Sequence, residues 1–267
     1  MQRQPAVAGQ FYPGSPELLR NELARLVPVS DEKRRVRGII VPHAGYVYSG
    51  GIAGKAYAMS AIPAAALILG PNHHGVGEPA ALYPGGEWLT PLGPTAINIR
   101  LNNLIKKRVP FVRDDTVAHR FEHSLEVQLP FLQFLRPDIT CSALCLGQGD
   151  FEILREIGEG IAASIAEYDE DVLIVASSDM THYESAASAK RKDSLALERV
   201  LAFDPRGLLQ VCQAERISMC GAVAAAVMLV AAEKLGATRA ELVAYGTSGD
   251  VTGDNQQVVG YASLLVD

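Results

Sequence analysis

The sequence predicts an α/β fold, a single domain in which a central mixed β-sheet is flanked by helices. Two observations carry that expectation. Short, β-branched apolar runs recur along the chain, each bounded by Gly, Pro or Asn, which is how buried strands read. Between them lie segments whose apolar residues repeat at helical spacing. No linker, repeat or low-complexity tract divides the 267 residues, and α/β chains of this size often form one domain.

In chain order, Ser15-Pro16 reads as an N-cap followed by Pro at the first helical position. Leu19, Leu23, Leu26 and Val27 then supply one apolar face. The strand Arg37–Val41 runs into Pro42-His43-Ala44-Gly45-Tyr46, and small-residue-rich Gly51–Ser60 suits a helix packed closely on a sheet. The strand Ala66–Leu69 runs into Gly70-Pro71-Asn72-His73-His74, which completes a βαβ unit of about 35 residues. Pro79–Pro94 reads as a long loop with short extended pieces, and Pro94–Arg100 as an edge strand. Glu122–Leu135 reads as a helix kinked at Pro130. Ile139–Leu146 is a further buried strand, and Asp150 is placed to cap a helix through Tyr168. The third histidine-bearing strand, Asp171–Ala176, leads into Ser177-Ser178-Asp179-Met180-Thr181-His182. Helices are expected over Ala187–Phe203, Pro205–Gln213 and from Gly221 to Leu235, before two last strands, Glu241–Tyr245 and Val258–Val266.

Composition narrows the function. A net charge of −6 argues against nucleic acid and against anionic membranes as partners. No apolar run approaches the ~18 residues of a membrane helix, and the N-terminus lacks the apolar core of a signal peptide. Cys141, Cys145, Cys212 and Cys220 form no CxxC pair, so a reducing cytoplasm is the expected setting.

Ligands of α/β sheets sit at the carboxyl ends of the strands, and four of the six histidines fall there. His43, His73 and His182 are therefore the leading candidates for a shared metal or acid–base site, since neutral imidazole binds zinc, iron and copper. His74, next to His73, is expected to support or face substrate. Cys220, just before an apolar helix, is the best third ligand, because a helix N-terminus lowers a thiol's pKa and thiolate is the form that binds metal. Cys141, Cys145 and Cys212 read as structural. Asp179 can orient an imidazole or hold a water, and His182 can act as general acid or base. Tyr46 and Tyr183 are placed to bond substrate or to line the wall. His119-Arg120-Phe121-Glu122-His123 matches the inverted zinc-peptidase pattern, but it opens its helix rather than lying within it. His123 and Glu126 are read instead as supporting residues that reach toward the strand-end cleft.

Taken in order, these motifs resemble the Memo family, including the prokaryotic members of the AmmeMemoRadiSam system that accompany AMMECR1-like and radical-SAM proteins. The resemblance rests on Pro5-Ala6-Val7-Ala8-Gly9 with Phe11-Tyr12-Pro13, Pro42–Tyr46, Gly70–His74, Glu122-His123-Ser124-Leu125-Glu126, Ser177-Ser178-Asp179 with His182, and Cys220-Gly221. It implies a fold similar to the class III extradiol dioxygenases, which hold non-haem iron(II) with two histidines and a carboxylate. It also implies His43, His73 and Cys220 as metal ligands, with His182 at the dioxygenase acid/base position. Thiolate would then stand where those enzymes have a carboxylate. Iron(II) is the first expectation for the metal, with copper or zinc as alternatives. The expected function is a metal-dependent redox enzyme acting on a small molecule or peptide. The alternative is a non-catalytic, metal-regulated or peptide-binding module built on a vestigial dioxygenase pocket.

Overall fold

A computed structural model describes residues 1–267. The chain opens with strand β1 (Gln2–Arg3) and helix α1 (Pro16–Leu26), which carries Pro in its first turn and buries Leu19 and Leu23. Strand β2 (Gly38–Val41), helix α2 (Tyr46–Met59) and strand β3 (Ala65–Pro71) follow. Three short strands come next, β4 (Ala80–Leu82), β5 (Glu87–Thr90) and β6 (Gly93–Ala96), then helix α3 (Ile99–Arg108) and β7 (Arg113–Asp114). A 3₁₀ turn at Glu126–Gln128 leads into α4 (Leu129–Leu135), followed by β8 (Thr140–Leu146), α5 (Phe151–Tyr168) and β9 (Val172–Ser177). The last part holds β10 (His182–Glu184), α6 (Ala186–Leu201), α7 (Pro205–Ala214) and α8 (Ala222–Lys234). It closes with β11 (Ala240–Thr247), the short α9 (Gly249–Thr252) and β12 (Val258–Val266).

The main sheet has nine strands in the order β10-β12-β2-β9-β3-β8-β4-β7, with β11 paired to β12, and is mixed as expected. Strands β2, β9, β3 and β8 run parallel, while β12 and β4 are antiparallel to their neighbours β2 and β8. Alternate residues of the central strands face opposite apolar layers. Ile40, Leu67, Leu69 and Ile174 join a cluster with α5 and α8, and Ile39, Val41, Ile68 and Val175 join one with α1 and α2. Burial on both faces is what makes these runs apolar throughout rather than alternating.

Four details refine or change the sequence reading. First, the βαβ unit of β2, α2 and β3 forms, with β9 between its two strands and paired in parallel with each. Second, the proposed edge strand Pro94–Arg100 is split. Only Gly93–Ala96 is extended, and Ile99 opens a helix because the Asn98 side chain accepts a hydrogen bond from Leu101 N. Third, the helix expected from Glu122 forms only from Leu129, with Pro130 in the first turn, where a missing N–H costs nothing. Its first residues are held in a loop by Arg3, whose buried guanidinium bonds the carbonyls of His119 and Glu122. Fourth, His182 begins a short strand rather than closing a turn.

Candidate metal centre

Because β9 lies between β2 and β3, the turns after these three strands open side by side at one edge of the sheet. The turn after β2 supplies His43, the turn after β3 supplies His73, and the end of β9 supplies Ser177 and Asp179 between them. The His43 and His73 rings lie 5.2 Å apart, centre to centre.

His43 is buried, and its hydrogen bonds settle which ring nitrogen carries the proton. Ser177 Oγ donates to the Ser124 carbonyl at 2.6 Å and accepts from Gln128 Nε2 at 2.8 Å. A hydroxyl has one proton and two acceptor positions. The third contact, His43 Nδ1 at 2.9 Å, must therefore be donated by the ring. That leaves the Nε2 lone pair of His43 free, 3.2 Å from Cys220 Sγ. Burial holds His43 neutral, with the charges of His123 and His73 acting in the same direction.

Cys220 sits directly ahead of α8, and its thiol is not acidic. Burial raises its pKa, the Asp179 charge adds to this, and hydrogen bonds from backbone N–H groups only partly oppose it. The low pKa expected from a helix N-terminus is thus overturned by desolvation. Without a metal, the S–H donates to His43 Nε2. Asp179 is buried too, and its Oδ1 accepts from His43 N at 2.8 Å. Burial lifts it to about 7. Its carboxylate therefore builds the His43 turn.

His182 Nδ1 lies 3.0 Å from the Ser218 carbonyl, and its backbone N–H donates to Ser218 Oγ. A carbonyl only accepts, so the ring donates from Nδ1, and the Met180 carbonyl also favours a ring proton. Burial lowers the His182 pKa, and the ring is within electrostatic reach of His73.

The remaining sequence-predicted residues divide. His123 is drawn into the centre: its ring stacks on His73 at 4.7 Å and lies 5.4 Å from His43. Donor atoms of His43, His73 and His123 all fall within 4.8 Å of one another. Glu126 is committed elsewhere, accepting from Arg3 Nη1, Ala6 N, Val7 N and Tyr12 Oη. Tyr46 donates its hydroxyl to the Val127 carbonyl and so acts as wall. His74 is exposed, with Nε2 3.1 Å from the Phe121 carbonyl. The peptidase pattern dissolves: His119 is fully buried, packs edge-on against Tyr83 and Trp88, and gives its Nε2 proton to the Ala81 carbonyl. Sequence reading missed Ser177 and Gln128, whose roles come from contacts 49 and 134 residues apart that spacing cannot signal.

The donors suit a transition metal. Metal–nitrogen bonds of ~2.1 Å and a metal–sulphur bond of ~2.3 Å at a tetrahedral ion would set nitrogen and sulphur about 3.6 Å apart. The observed His43–Cys220 separation of 3.2 Å is a few tenths short of that, which a rotamer adjustment covers.

A family model described as "Memo-like protein" matches residues 3–265. A MEMO1 family protein of Methanosarcina mazei is 42% identical over 267 residues, with 99% of each chain covered. MEMO1 family protein MK0963 of Methanopyrus kandleri is 39% identical over 279 residues, again with 99% of each chain covered. Among solved structures, the uncharacterized protein JW3007 of Escherichia coli K12 superposes with a TM-score of 0.58 at 14% identity, covering 87% of this chain and 100% of that one. That likeness is one of fold. Together with the ordered strand-end motifs, the family match places this chain in the Memo family.

Proposed function

We propose that this chain is a mononuclear metal protein in which His43 Nε2, His73 and Cys220 Sγ hold iron(II), copper or zinc, and that it serves as a cytoplasmic, metal-dependent redox enzyme for a small molecule or peptide. The observation that carries the reading is the unprotonated His43 Nε2 facing Cys220 Sγ at 3.2 Å, with the His73 ring beside that of His43. Two imidazoles and a thiolate suit these three metals. A bound ion would supply Lewis acidity or one-electron chemistry. The protein's own groups supply the rest. The Cys220 proton must leave before the sulphur can act as a ligand. Ser177 keeps the His43 ring in register. Burial lowers the His182 pKa and so favours the neutral ring, which can accept a proton at the cleft and pass it on.

A second donor set is favoured by one specific observation, the three-imidazole cluster of His43, His73 and His123. The two sets share His43 and His73 and differ in whether sulphur or His123 completes them. Cobalt(II) titration separates them. With Cys220 as a ligand, the wild type shows a near-ultraviolet sulphur-to-cobalt absorption that Cys220→Ser abolishes and His123→Ala keeps. With the three imidazoles, no such band forms and His123→Ala releases the ion. Protein purified anaerobically without metal, and unable to take up cobalt(II), iron(II) or zinc(II), would refute both.

A further inference from the structure

We infer that Glu122 is the positioning residue of this centre, a buried anion that dictates which nitrogen of His73 is left free for a metal. The inference rests on the metal-binding reading above, but the geometry behind it is independent of that reading.

The Glu122 carboxylate is fully buried and accepts three hydrogen bonds. Oε1 lies 2.8 Å from His73 Nδ1 and 2.9 Å from Ser124 N, and Oε2 lies 2.7 Å from His73 N. Each oxygen already accepts a backbone N–H, Oε2 from His73 and Oε1 from Ser124, as an anionic carboxylate does, and a carboxylate only accepts, so the His73 proton in this contact is on Nδ1. Nε2 is then the nitrogen that can bind a metal. One carboxylate also grips both the ring and the backbone of the same residue, which fixes the ring's rotation as well as its tautomer.

The backbone that carries this carboxylate is itself held in place. Arg3 Nη2 donates to the Glu122 carbonyl at 2.6 Å, and Arg3 Nε donates to the His119 carbonyl at 2.8 Å. The two imidazoles are thus oriented differently, His43 by a neutral hydroxyl and His73 by an anion. An anionic partner raises the donor strength of a ligating imidazole, and removing such a partner typically costs about 10–100-fold in metal affinity.

Glutamine cannot replace this carboxylate, whichever way its amide lies. With its oxygen at the Oε1 position, its NH₂ meets the His73 backbone N–H. With its oxygen at the Oε2 position, its NH₂ meets Ser124 N–H, and it meets the ring N–H as well unless His73 moves its proton to Nε2, the ligating nitrogen.

The test combines two measurements on the full chain. Long-range ¹⁵N–¹H NMR of the metal-free protein reads the His73 tautomer, and competition titration with zinc(II) reads affinity. The expected result is Nδ1–H in the wild type, with a shifted tautomer or a freed ring and 10–100-fold weaker zinc(II) binding in Glu122→Gln. Glu122→Asp, which keeps the charge, should recover part of the loss. A wild-type His73 protonated at Nε2 alone overturns the inference without any variant. So does a Glu122→Gln protein with unchanged tautomer and unchanged zinc(II) affinity. A wild type that binds no zinc(II), but whose His73 tautomer still depends on Glu122, supports the orienting role and sinks the metal reading instead.

Discussion

Neutralising Glu126 should unfold this protein far more readily than its single-atom change implies. The Arg3 and Glu126 side chains are 4% and 0% exposed and paired at 2.6 Å. The same carboxylate accepts from Ala6 N at 2.7 Å, Val7 N at 3.1 Å and Tyr12 Oη at 2.6 Å. Glu126→Gln leaves a guanidinium buried without its counter-ion and turns an NH₂ toward one of two donor pairs. Breaking one side of a buried pair costs about 3–5 kcal/mol. At roughly 2–4 °C per kcal/mol for a chain near this size, the midpoint should fall by about 6–20 °C. Replacing both partners with apolar residues should not restore the wild-type value, because Ala6 N, Val7 N and Tyr12 Oη would still lack an acceptor. Urea denaturation at pH 7 with an unchanged m-value is the assay. Asp114→Asn is the control, since its partner Lys106 and Asp114 itself are 29% and 45% exposed and such a pair contributes about 0–1 kcal/mol. A Glu126→Gln loss below about 1 kcal/mol would refute the claim that this ion pair staples the N-terminal segment to the site loop.

Three further outcomes follow from the packing and charge. Gly54→Ala, whose new methyl would overlap the Leu26 carbonyl where α1 crosses α2, should cost about 3 kcal/mol. Gly51→Ala in the same helix meets nothing within 4 Å and should gain up to about 1 kcal/mol; urea midpoints of the two variants should move in opposite directions. Gly221→Ala would drive a methyl into the Ser177 carbonyl and the Ser178 side chain, so it should displace Cys220 and lower cobalt(II) uptake while leaving far-ultraviolet circular dichroism intact. Burial lowers the His119 pKa to about 4 from an ordinary 6.5. The unfolded chain therefore binds the proton more tightly, and this residue's contribution to stability falls as pH drops from 6.5 to 4, by about 3 kcal/mol in all. His119→Gln, which keeps a donor for the Ala81 carbonyl, should lose correspondingly less stability over that window in a pH series of urea midpoints.

The difference between what the sequence disclosed and what it concealed follows the range of the interactions involved. The strands were legible because burial on both faces leaves an uninterrupted apolar run, and the turns after β2, β3 and β9 were legible because each carries its Pro, Asn or Ser signal locally. The convergence of His43 and His73 was therefore readable in outline, even though the strand between them was not. The loop 119–125 was unreadable for the opposite reason. Its apolar spacing favours a helix, but Arg3 claims the carbonyls of His119 and Glu122 from 116 and 119 residues away, and a buried charge-assisted bond outweighs a few tenths of a kcal/mol of local propensity. That single override turns His123 toward His73 and gives Glu122 the His73 ring. The acidity expected of the Cys220 thiol was misjudged on magnitude rather than on range. A helix N-terminus stabilises an anion by about 0.3–1 kcal/mol, whereas full burial can shift a pKa by several units in the other direction, so the thiol keeps its proton. Asp179 accepts the His43 backbone N–H at 2.8 Å, so it also holds the turn that carries His43, a backbone contact that spacing along the chain does not signal. At this edge of the sheet the ring nitrogens not spent on a hydroxyl, carbonyl or carboxylate are Nε2 of His43, which accepts the Cys220 thiol hydrogen bond, and Nε2 of His73, whose Nδ1 the Glu122 carboxylate takes.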